Sequence, residues 1–239
     1  MLDFNHRLAA GDVSGAIEAQ LHAAIRARGA AEPRRNYLGA SALGDPCDRR
    51  LCFEMLGVEP DRERFEPRIR SIFARGHALE ALAREDMRAA GFEVAEGGEF
   101  SQLGGRFQGH VDGTVTAAPI AMRLPCLWEH KGLGSRGWRR LRSDGLAAAY
   151  PGYAIQVAIY QAYCDLPAPA LFTATNADTM ERLHLMVPFD AALAQRASDR
   201  AVRIVEACEA GELLGRCAAR PDHFECRMCA WAETCWRRG

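Results

Sequence analysis

Five stretches of the chain repeat their apolar residues every three or four positions, which is the spacing of a helix with one buried face. They are residues 1–30, 41–56, 61–91, 153–160 and 189–211. In the first stretch, Ile17 and Leu21 share a face and Gly29 follows as a stop, which predicts an amphipathic packing helix. In the third stretch, Pro67 suits the first turn and Gly91 suits the position after the last turn.

Six shorter stretches have the alternation and the flanking turn residues of strands. They are residues 92–95, 99–103, 106–115, 124–131, 170–175 and 182–187. In the third, Asp112 lies on the face opposite Phe107 and Val111. In the fourth, Glu129 and Lys131 are two positions apart, so both side chains project from one face. Strands mixed with helices in this order predict one α/β domain with a central mixed sheet flanked by helices.

Composition and charge narrow the class of protein without deciding its function. Hydrophobic residues make up 49% and charged residues 26% of the 239 residues, which is ordinary for a globular protein. The net charge of −1 does not exclude DNA binding, because a neutral protein can carry a basic groove. No long apolar run is present, so we expect no transmembrane helix. Residues 1–7 lack the pattern of a signal peptide, which predicts a cytoplasmic location.

Three of the nine cysteines are clustered near the end of the chain as Cys226-x2-Cys229-x5-Cys235. An odd number of cysteines argues against a complete disulfide framework, and in a reduced compartment such a cluster favours metal ligation. Three thiolates need a fourth ligand, for which Cys47 and Cys52 are upstream candidates. Both zinc and an iron–sulfur cluster are compatible with four cysteines.

Asp112, Glu129 and Lys131 together form a pattern suited to phosphodiester hydrolysis. Carboxylates bind Mg²⁺, and a bound cation activates water and neutralises charge on a phosphate. An ammonium group beside them orients the water or stabilises charge in the transition state. An isolated Glu-x-Lys is common by chance, so its value depends on Asp112 one strand and turn upstream.

His77 and Glu80 are three positions apart in the helical stretch 61–91 and therefore lie on one side of that helix. A histidine near an apolar face is more often a satisfied core residue than a ligand. The acids downstream nevertheless make His77 a candidate metal ligand. For Glu80 the alternative is a solvated or supporting role.

Four arginines follow directly after the Glu-x-Lys strand. They are Arg136, Arg139, Arg140 and Arg142. A solvated helix or loop face and a phosphate-binding surface are both compatible with this run, and its position next to the candidate site keeps the second open.

These motifs, in this order, resemble the PD-(D/E)XK nuclease superfamily. They are most similar to its RecB-like exonuclease branch with an iron–sulfur cluster, which includes CRISPR-associated and phage-encoded enzymes. The matching elements are one early cysteine, Gly76-His77, Gly109-His110-Val111-Asp112, Glu129-His130-Lys131, Gln156-x3-Tyr160 and three late cysteines. The resemblance covers residues 38–236 and implies a restriction-endonuclease-like core.

The resemblance also implies roles for the site residues. Mg²⁺ or Mn²⁺ would be bound by His77, Asp112 and Glu129, with the carbonyl of His130 as a further ligand. Lys131 would assist catalysis, and Gln156 and Tyr160 would position the lysine or the DNA. Two features depart from the usual pattern: His130 stands where a strand core more often has an apolar residue, and no proline precedes Asp112.

The same resemblance implies that Cys47, Cys226, Cys229 and Cys235 hold a [4Fe–4S] cluster. This cluster would join an N-terminal helix to the C-terminal tail. Cys52 is an alternative to Cys47 as the first ligand, and Zn²⁺ is an alternative to the cluster. The expected organisation is a helical arm over residues 1–30, a nuclease core over 31–211 and a cysteine-rich tail over 212–239.

The expected function is therefore a metal-dependent DNA nuclease, an exonuclease acting on single-stranded DNA or DNA ends. The alternatives are a non-catalytic DNA-binding or adaptor module on the same fold, and a zinc-binding protein. No P-loop motif is present, so unwinding would fall to a partner. A helicase, a recombinase and a CRISPR adaptation protein are the expected kinds of protein partner.

Overall fold

The computed structural model describes residues 10–237, with side chains from Val13 onward. Its helices are α1 (Ala10–Ala31), α2 (Asp48–Met55), α3 (Pro67–Ala89), α4 (Ser135–Ala149), α5 (Pro151–Tyr163), α6 (Ala191–Glu209), α7 (Phe224–Met228) and α8 (Ala232–Arg237), with a 3₁₀ helix at Ala40–Gly44. Its strands are β1 (Leu38–Gly39), β2 (Glu93–Glu96), β3 (Glu99–Gln102), β4 (Phe107–His110), β5 (Gly113–Ala117), β6 (Cys126–Leu133), β7 (Ala170–Asn176) and β8 (Arg182–Val187).

The strands form two mixed sheets. The larger has the order β2-β5-β6-β7-β8, in which β6 and β7 are parallel and the other pairs are antiparallel. The smaller has the order β1-β4-β3. The predicted fold class, an α/β protein with a mixed sheet flanked by helices, is confirmed, and the difference is that the strands divide into two sheets.

The division into two sheets occurs next to Asp112. We predict one strand over residues 106–115, but β4 ends at His110 and β5 begins at Gly113. The partner strand bends at the same level, where a Cβ on Gly97 would lie 2.5 Å from the Val111 carbonyl oxygen. Val111 N donates to Gly98 O at 2.9 Å across the bend. This close crossing places Asp112 at the junction of the two sheets.

The two faces of β6 pack into different cores. Leu127 and Leu133 belong to the large core that includes residues of α4, α5 and α6. Trp128 belongs to a smaller core that includes Ala83 of α3. A Cβ on Gly132 would lie 2.7 Å from Leu79 Cδ1, so glycine lets α3 pass close to the strand on this side. We call the α5 side of β6 its front face and the α3 side its back face.

Helix α1 departs from the predicted packing. Ile17 and Leu21 are 56% and 53% exposed, so the apolar face expected to pack is open, and that prediction was wrong. The contacts of α1 are near its C-terminal end, where Arg26 Nε donates to Glu63 Oε2 at 3.0 Å and Gly29 lies against the guanidinium of Arg70. The first nine residues of the predicted arm lie outside the described part.

The C-terminal tail packs on the segment that follows α2. Trp231 Nε1 donates to Val58 O at 2.8 Å, and its ring lies 6.4 Å from that of Phe53. Asp61 Oδ2 accepts from Thr234 N at 3.0 Å. The C-terminal tail therefore lies against residues 53–61, and the proposed domain boundaries stay predictions. No helix between residues 10 and 237 is both long and apolar enough to cross a bilayer.

Candidate active site

Asp112 is held beside β6 by the strand bend and by one backbone hydrogen bond. Its Oδ2 accepts from His130 N at 2.7 Å, so the carboxylate lies against the strand that carries Glu129. Arg84 Nη2 donates to the carbonyl oxygen of Asp112 at 2.9 Å and fixes its backbone from α3. The two carboxyl groups expected from the sequence are therefore neighbours in space.

Glu129 is fully buried and only half satisfied. Its Oε1 accepts from Lys131 Nζ and, at 2.8 Å, from Gln156 Nε2. Its Oε2 is buried and has no hydrogen-bond partner among residues 10–237. A buried carboxylate oxygen without a partner is costly, so this oxygen is available to a bound cation.

Helix α5 covers the front face above this pair. Gln156 Nε2 also lies 3.2 Å from Tyr160 Oη, and Lys131 Nζ lies 5.3 Å from the centre of the Tyr153 ring. A Cβ on Gly109 would lie 2.6 Å from Tyr160 Cε1, so glycine allows the ring to rest on β4. The Gln-x3-Tyr spacing thus delivers both polar groups to one side of the helix, toward Glu129.

Burial and like charge shift the protonation of the acids. Burial raises the pKa of Glu129 to about 8, and Asp112 adds to the rise although Lys131 opposes it. Burial likewise raises the pKa of Asp112, and burial together with Asp112 raises that of Glu80. The site therefore holds more carboxylate than its positive charge can balance.

Lys131 keeps its charge in this environment. The carboxylates of Glu129 and Asp112 raise the pKa of its ammonium group, outweighing the opposite effect of burial. Lys131 is also the single lysine of the chain, and the remaining residues of the combined lysine and arginine count are all arginine. Because a compact ammonium and a planar guanidinium bind differently, this position stands apart from the rest of the basic residues.

The donor set suits a hard divalent cation. Mg²⁺ is commonly held by one or two carboxylates, with waters and substrate phosphates completing its shell. Asp112 and Glu129 supply two such groups, and the unpartnered Glu129 Oε2 is one of the oxygens. No three acid, imidazole or thiol side chains in residues 13–237 form a complete metal centre by themselves. Water or substrate would therefore complete the shell.

His77 lies at the rim of this cluster. Its side chain is 82% exposed, and Nδ1 lies 3.8 Å from Glu80 Oε2. Glu80 faces inward and accepts from Arg84 Nη2 at 2.6 Å. The structure brings together Asp112, Glu129, Lys131, Gln156 and Tyr160, with Glu80 nearer to them than the sequence suggested. The role of His77 as a ligand stays a prediction.

His130 has its backbone and side chain in different places. Its N–H meets Asp112 on the site side, but its ring is turned to the back face, where Nδ1 lies 2.8 Å from Thr173 Oγ1. Burial and the neighbouring Lys131 lower the pKa of the imidazole to about 4, so the ring is neutral near pH 7. Metal binding by the His130 carbonyl stays a prediction.

The cysteines predicted to act together line one cavity, and a fifth joins them. The thiols are those of Cys47, Cys217, Cys226, Cys229 and Cys235. The sequence does not single out Cys217, which lies outside the short motif of the other late cysteines. Burial and a hydrogen bond with Cys47 raise the pKa of the Cys217 thiol to about 12. Cys52 does not line this cavity, and its thiol forms a hydrogen bond with the thiol of Cys208 instead.

The cysteine cavity suits a metal cofactor in its donor chemistry. All nine cysteines of the chain carry free thiols. Arg50 and Arg216 also line the cavity, and their charges would offset those of thiolates. Arg216 Nη2 donates to Cys235 O at 2.7 Å, which ties one of these arginines to the tail.

The arginine run forms the exposed side of α4. Trp138 and Leu141 of this helix are buried, whereas the four arginines named above are exposed. Helix α4 begins two residues after the end of β6. The arginines are therefore exposed to solvent on the helix that directly follows the Glu-x-Lys strand.

Solved structures share this fold. An alkaline exonuclease, LHK-Exo from Laribacter hongkongensis, matches with a TM-score of 0.54 and 18% identity, covering 81% of this chain and 93% of that one. LHK-Exo in complex with dAMP matches with a TM-score of 0.51 and 19% identity, over 74% and 90% of the two chains. The structure of SSO0001 matches with a TM-score of 0.50 and 15% identity, over 90% and 94%.

No protein-family model matches the chain, and no curated protein matches it by sequence. At these identities the structural likeness establishes the fold. It confirms the predicted restriction-endonuclease-like core, in which Asp112 directly precedes β5 and Glu129 lies on the adjacent strand β6.

Proposed function

We propose that this chain is a Mg²⁺- or Mn²⁺-dependent deoxyribonuclease that hydrolyses phosphodiester bonds at DNA ends or in single-stranded DNA. One observation carries the proposal: Glu129 is buried beside Asp112 and Lys131, and one of its carboxylate oxygens has no partner in the described part of the chain. The fold likeness to an alkaline exonuclease, and to its complex with the mononucleotide dAMP, favours removal of nucleotides from an end.

In this proposal Asp112 and Glu129 bind the divalent cation. When bound, the cation would activate water and neutralise charge on the scissile phosphate. Gln156 holds Glu129 Oε1, while Oε2 has no hydrogen-bond partner among residues 10–237. Asp112 is kept in place by the N–H of His130, the residue that follows Glu129.

Lys131 acts as a charged donor. Because its pKa is raised, the ammonium is a poor general base near neutral pH and a suitable group to stabilise the negative charge that develops on the phosphate. The exposed arginines of α4 would bind the DNA backbone, since guanidinium groups pair well with phosphates.

The test is hydrolysis of end-labelled single- and double-stranded DNA, with circular DNA as a substrate that has no ends. Wild type with Mg²⁺ or Mn²⁺ should release short products from the linear substrates and none with EDTA. Glu129→Gln keeps the shape of the side chain and should abolish cleavage. Native-rate cleavage by a folded Glu129→Gln protein, or by wild type in EDTA, would refute the proposed site.

We further propose that Cys47, Cys226, Cys229 and Cys235 hold a [4Fe–4S] cluster. The cluster would be ligated by thiolates, as iron–sulfur clusters generally are. The shared cavity and the adjacent arginines support this assignment. Iron and sulfide analysis of protein purified without oxygen tests it, and zinc in place of iron would support the alternative metal.

Cys217 provides a matched comparison for the cluster. Replacement of Cys229 by serine should remove most of the bound iron, whereas Cys217→Ser should retain it, because Cys217 is outside the proposed ligand set. Loss of iron in Cys217→Ser and retention in Cys229→Ser would contradict the proposed ligand set.

A further inference from the structure

A second cavity lies on the back face of the large sheet, away from Glu129 and Lys131. It has a volume of about 430 Å³ and lies between α3, the segment before β6, and strands β6 to β8. This volume is within the range of small-molecule sites in proteins. Neither the proposed hydrolysis nor the cysteine site uses this cavity.

The strand register gives the floor of the cavity two chemically different ends. Residues directly opposite each other on paired strands share a face, which places three rows side by side. The rows are Trp128–Leu171–Met186, His130–Thr173–His184 and Gly132–Thr175–Arg182. The first row is apolar, and the next two carry nearly all of the polar groups of the floor.

The walls continue the same division. Met87, Phe92 and Met122 line the cavity with apolar side chains, of which the first and last are flexible thioethers. Arg182 stands at the polar end, where it is paired with Asp86 of α3. Because a guanidinium has five N–H donors, this pairing leaves donors of Arg182 for another group.

His130 directs an unpartnered donor into the polar end. The indole of Trp128 can only donate, and it bonds Thr173 Oγ1 at 2.9 Å. The hydroxyl proton of Thr173 is then available to His130 Nδ1 at 2.8 Å, a much shorter contact than the 3.5 Å to Glu129 O. With the Thr173 proton donated to Nδ1, the ring proton lies on Nε2.

That Nε2 is buried and has no partner within residues 10–237, and His130 as a whole is only 4% exposed. A buried polar atom without a partner is unfavourable. The cavity therefore contains a specific polar position that an oxygen acceptor would satisfy, next to an apolar space that fits a hydrocarbon or aromatic body.

We propose that this cavity is a binding site for a small amphiphile whose head is a hydrogen-bond-accepting oxygen, such as a carboxylate, and whose body is apolar. The head would accept from His130 Nε2 and Arg182, and the body would lie against Leu171, Met186 and Phe92. The proposal does not depend on nuclease activity, because it rests on the back face alone.

Isothermal titration of the full chain with decanoate tests the site, at concentrations below those at which decanoate forms micelles. Decylammonium is the matched ligand, since it has the same body and a head that can only donate. Decanoate should bind at least about ten-fold more tightly, as expected for one hydrogen bond to a charged group. Equal binding of the two ligands would overturn the proposed head recognition.

Two tryptophan variants locate the binding. Ala90 and Ala89 are adjacent and exposed at the end of α3, but only Ala90 lines the cavity. Ala90→Trp should weaken decanoate binding at least about ten-fold, and Ala89→Trp should leave it within about two-fold. Unchanged binding in a folded Ala90→Trp protein would place the ligand elsewhere and refute the proposal.

A spectroscopic measurement reports on His130 without a substitution at the site. In protein labelled with ¹⁵N-histidine, decanoate should shift the Nε2 resonance of His130, and decylammonium should shift it much less. His130→Phe serves to assign that resonance. Decanoate binding that leaves the His130 signal unmoved would contradict the proposed hydrogen bond.

Discussion

The two faces of β6 carry residues from the same short segment, but the basic group on one face is charged and the basic group on the other is neutral. On the front, Glu129 is buried beside the half-buried Lys131, and the ammonium stays charged among carboxylates. On the back, His130 is buried beside Thr173 and stays neutral. One-residue alternation therefore separates an ionic site from a neutral hydrogen-bond network only one strand thickness away.

The difference shows what burial does when partners differ. The front face has several carboxyl groups but one ammonium, so a divalent cation would complete its charge balance. On the back face, the imidazole of His130 has a hydroxyl partner and positively charged neighbours, so the neutral form of the ring is favoured. Substitutions that exchange or remove these partners should therefore act on catalysis at the front and on stability at the back.

The largest effect is expected from Lys131→Arg, which keeps the positive charge and changes its shape. A guanidinium is planar and larger than an ammonium, so it should not reproduce the donor position beside Glu129. We expect DNA hydrolysis to fall by about a hundred- to a thousand-fold, the usual loss when one transition-state donor is removed. Rates on end-labelled DNA measure this effect.

The reverse exchange is the matched control for Lys131. Arg28→Lys, at an exposed position in the last turn of α1, makes the opposite change outside the proposed site, and it should retain the hydrolysis rate. If Lys131→Arg and Arg28→Lys were equally active, the ammonium would have no special role at the front face.

A smaller effect should appear in the pH dependence of unfolding. The pKa of His130 is lowered in the folded protein from an ordinary 6.5 to about 4. Its contribution to stability is therefore complete above pH 6.5 and is lost as the pH falls toward 4, amounting to about 3 kcal/mol. Urea unfolding at pH 4 and pH 7 should show this loss in wild type and much less of it in His130→Phe.

The front face should give the opposite sign in metal-free protein. The pKa of Glu129 is raised from 4.5 to about 8, so its contribution is complete below pH 4.5 and is lost as the pH rises toward 8. In EDTA, Glu129→Gln should gain stability relative to wild type as the pH rises over this range. A loss of relative stability with rising pH would contradict the opposition between the two faces.

The smallest effect is expected at the hydroxyl that joins the back-face network. Thr173→Val removes the partner of both Trp128 Nε1 and His130 Nδ1 while preserving shape. Two buried polar atoms lose their bonds, and we expect the free energy of unfolding to fall by about 2 kcal/mol. Thr175→Val is the control, since Thr175 makes no side-chain hydrogen bond within residues 10–237, and denaturant unfolding should show a smaller change.

Local sequence rules predicted the parts of the site that lie on single elements. Glu129 and Lys131 share a face because strands alternate, and Gln156 and Tyr160 share a face because they are four apart on α5. The positions of most helices and strands also follow from periodicity. These features depend on residues that are close in sequence, so the sequence alone is enough to predict them.

Features made by distant contacts were missed or mistaken. The bend at Val111 depends on Gly97, which lies between β2 and β3. The apolar spacing of α1 does not reveal whether a packing partner is present, and Ile17 is exposed. Cys217 joins the other thiols only through the packing of the tail. The back-face cavity is formed by a helix, a loop and three strands that are distant in sequence, so no local sequence pattern predicts it.

The bend between the two sheets also bears on how such an acid can be located in unfamiliar sequences. Asp112 occupies its position because Gly97 allows the partner strand to cross Val111 closely. A search for the first acid of this pattern in a divergent chain therefore gains a second marker, a glycine pair between the two preceding strands that is level with the acid. That marker lies outside the acid–lysine motif. It would distinguish an Asp at a bend in a hairpin from an Asp that occurs by chance in a straight strand.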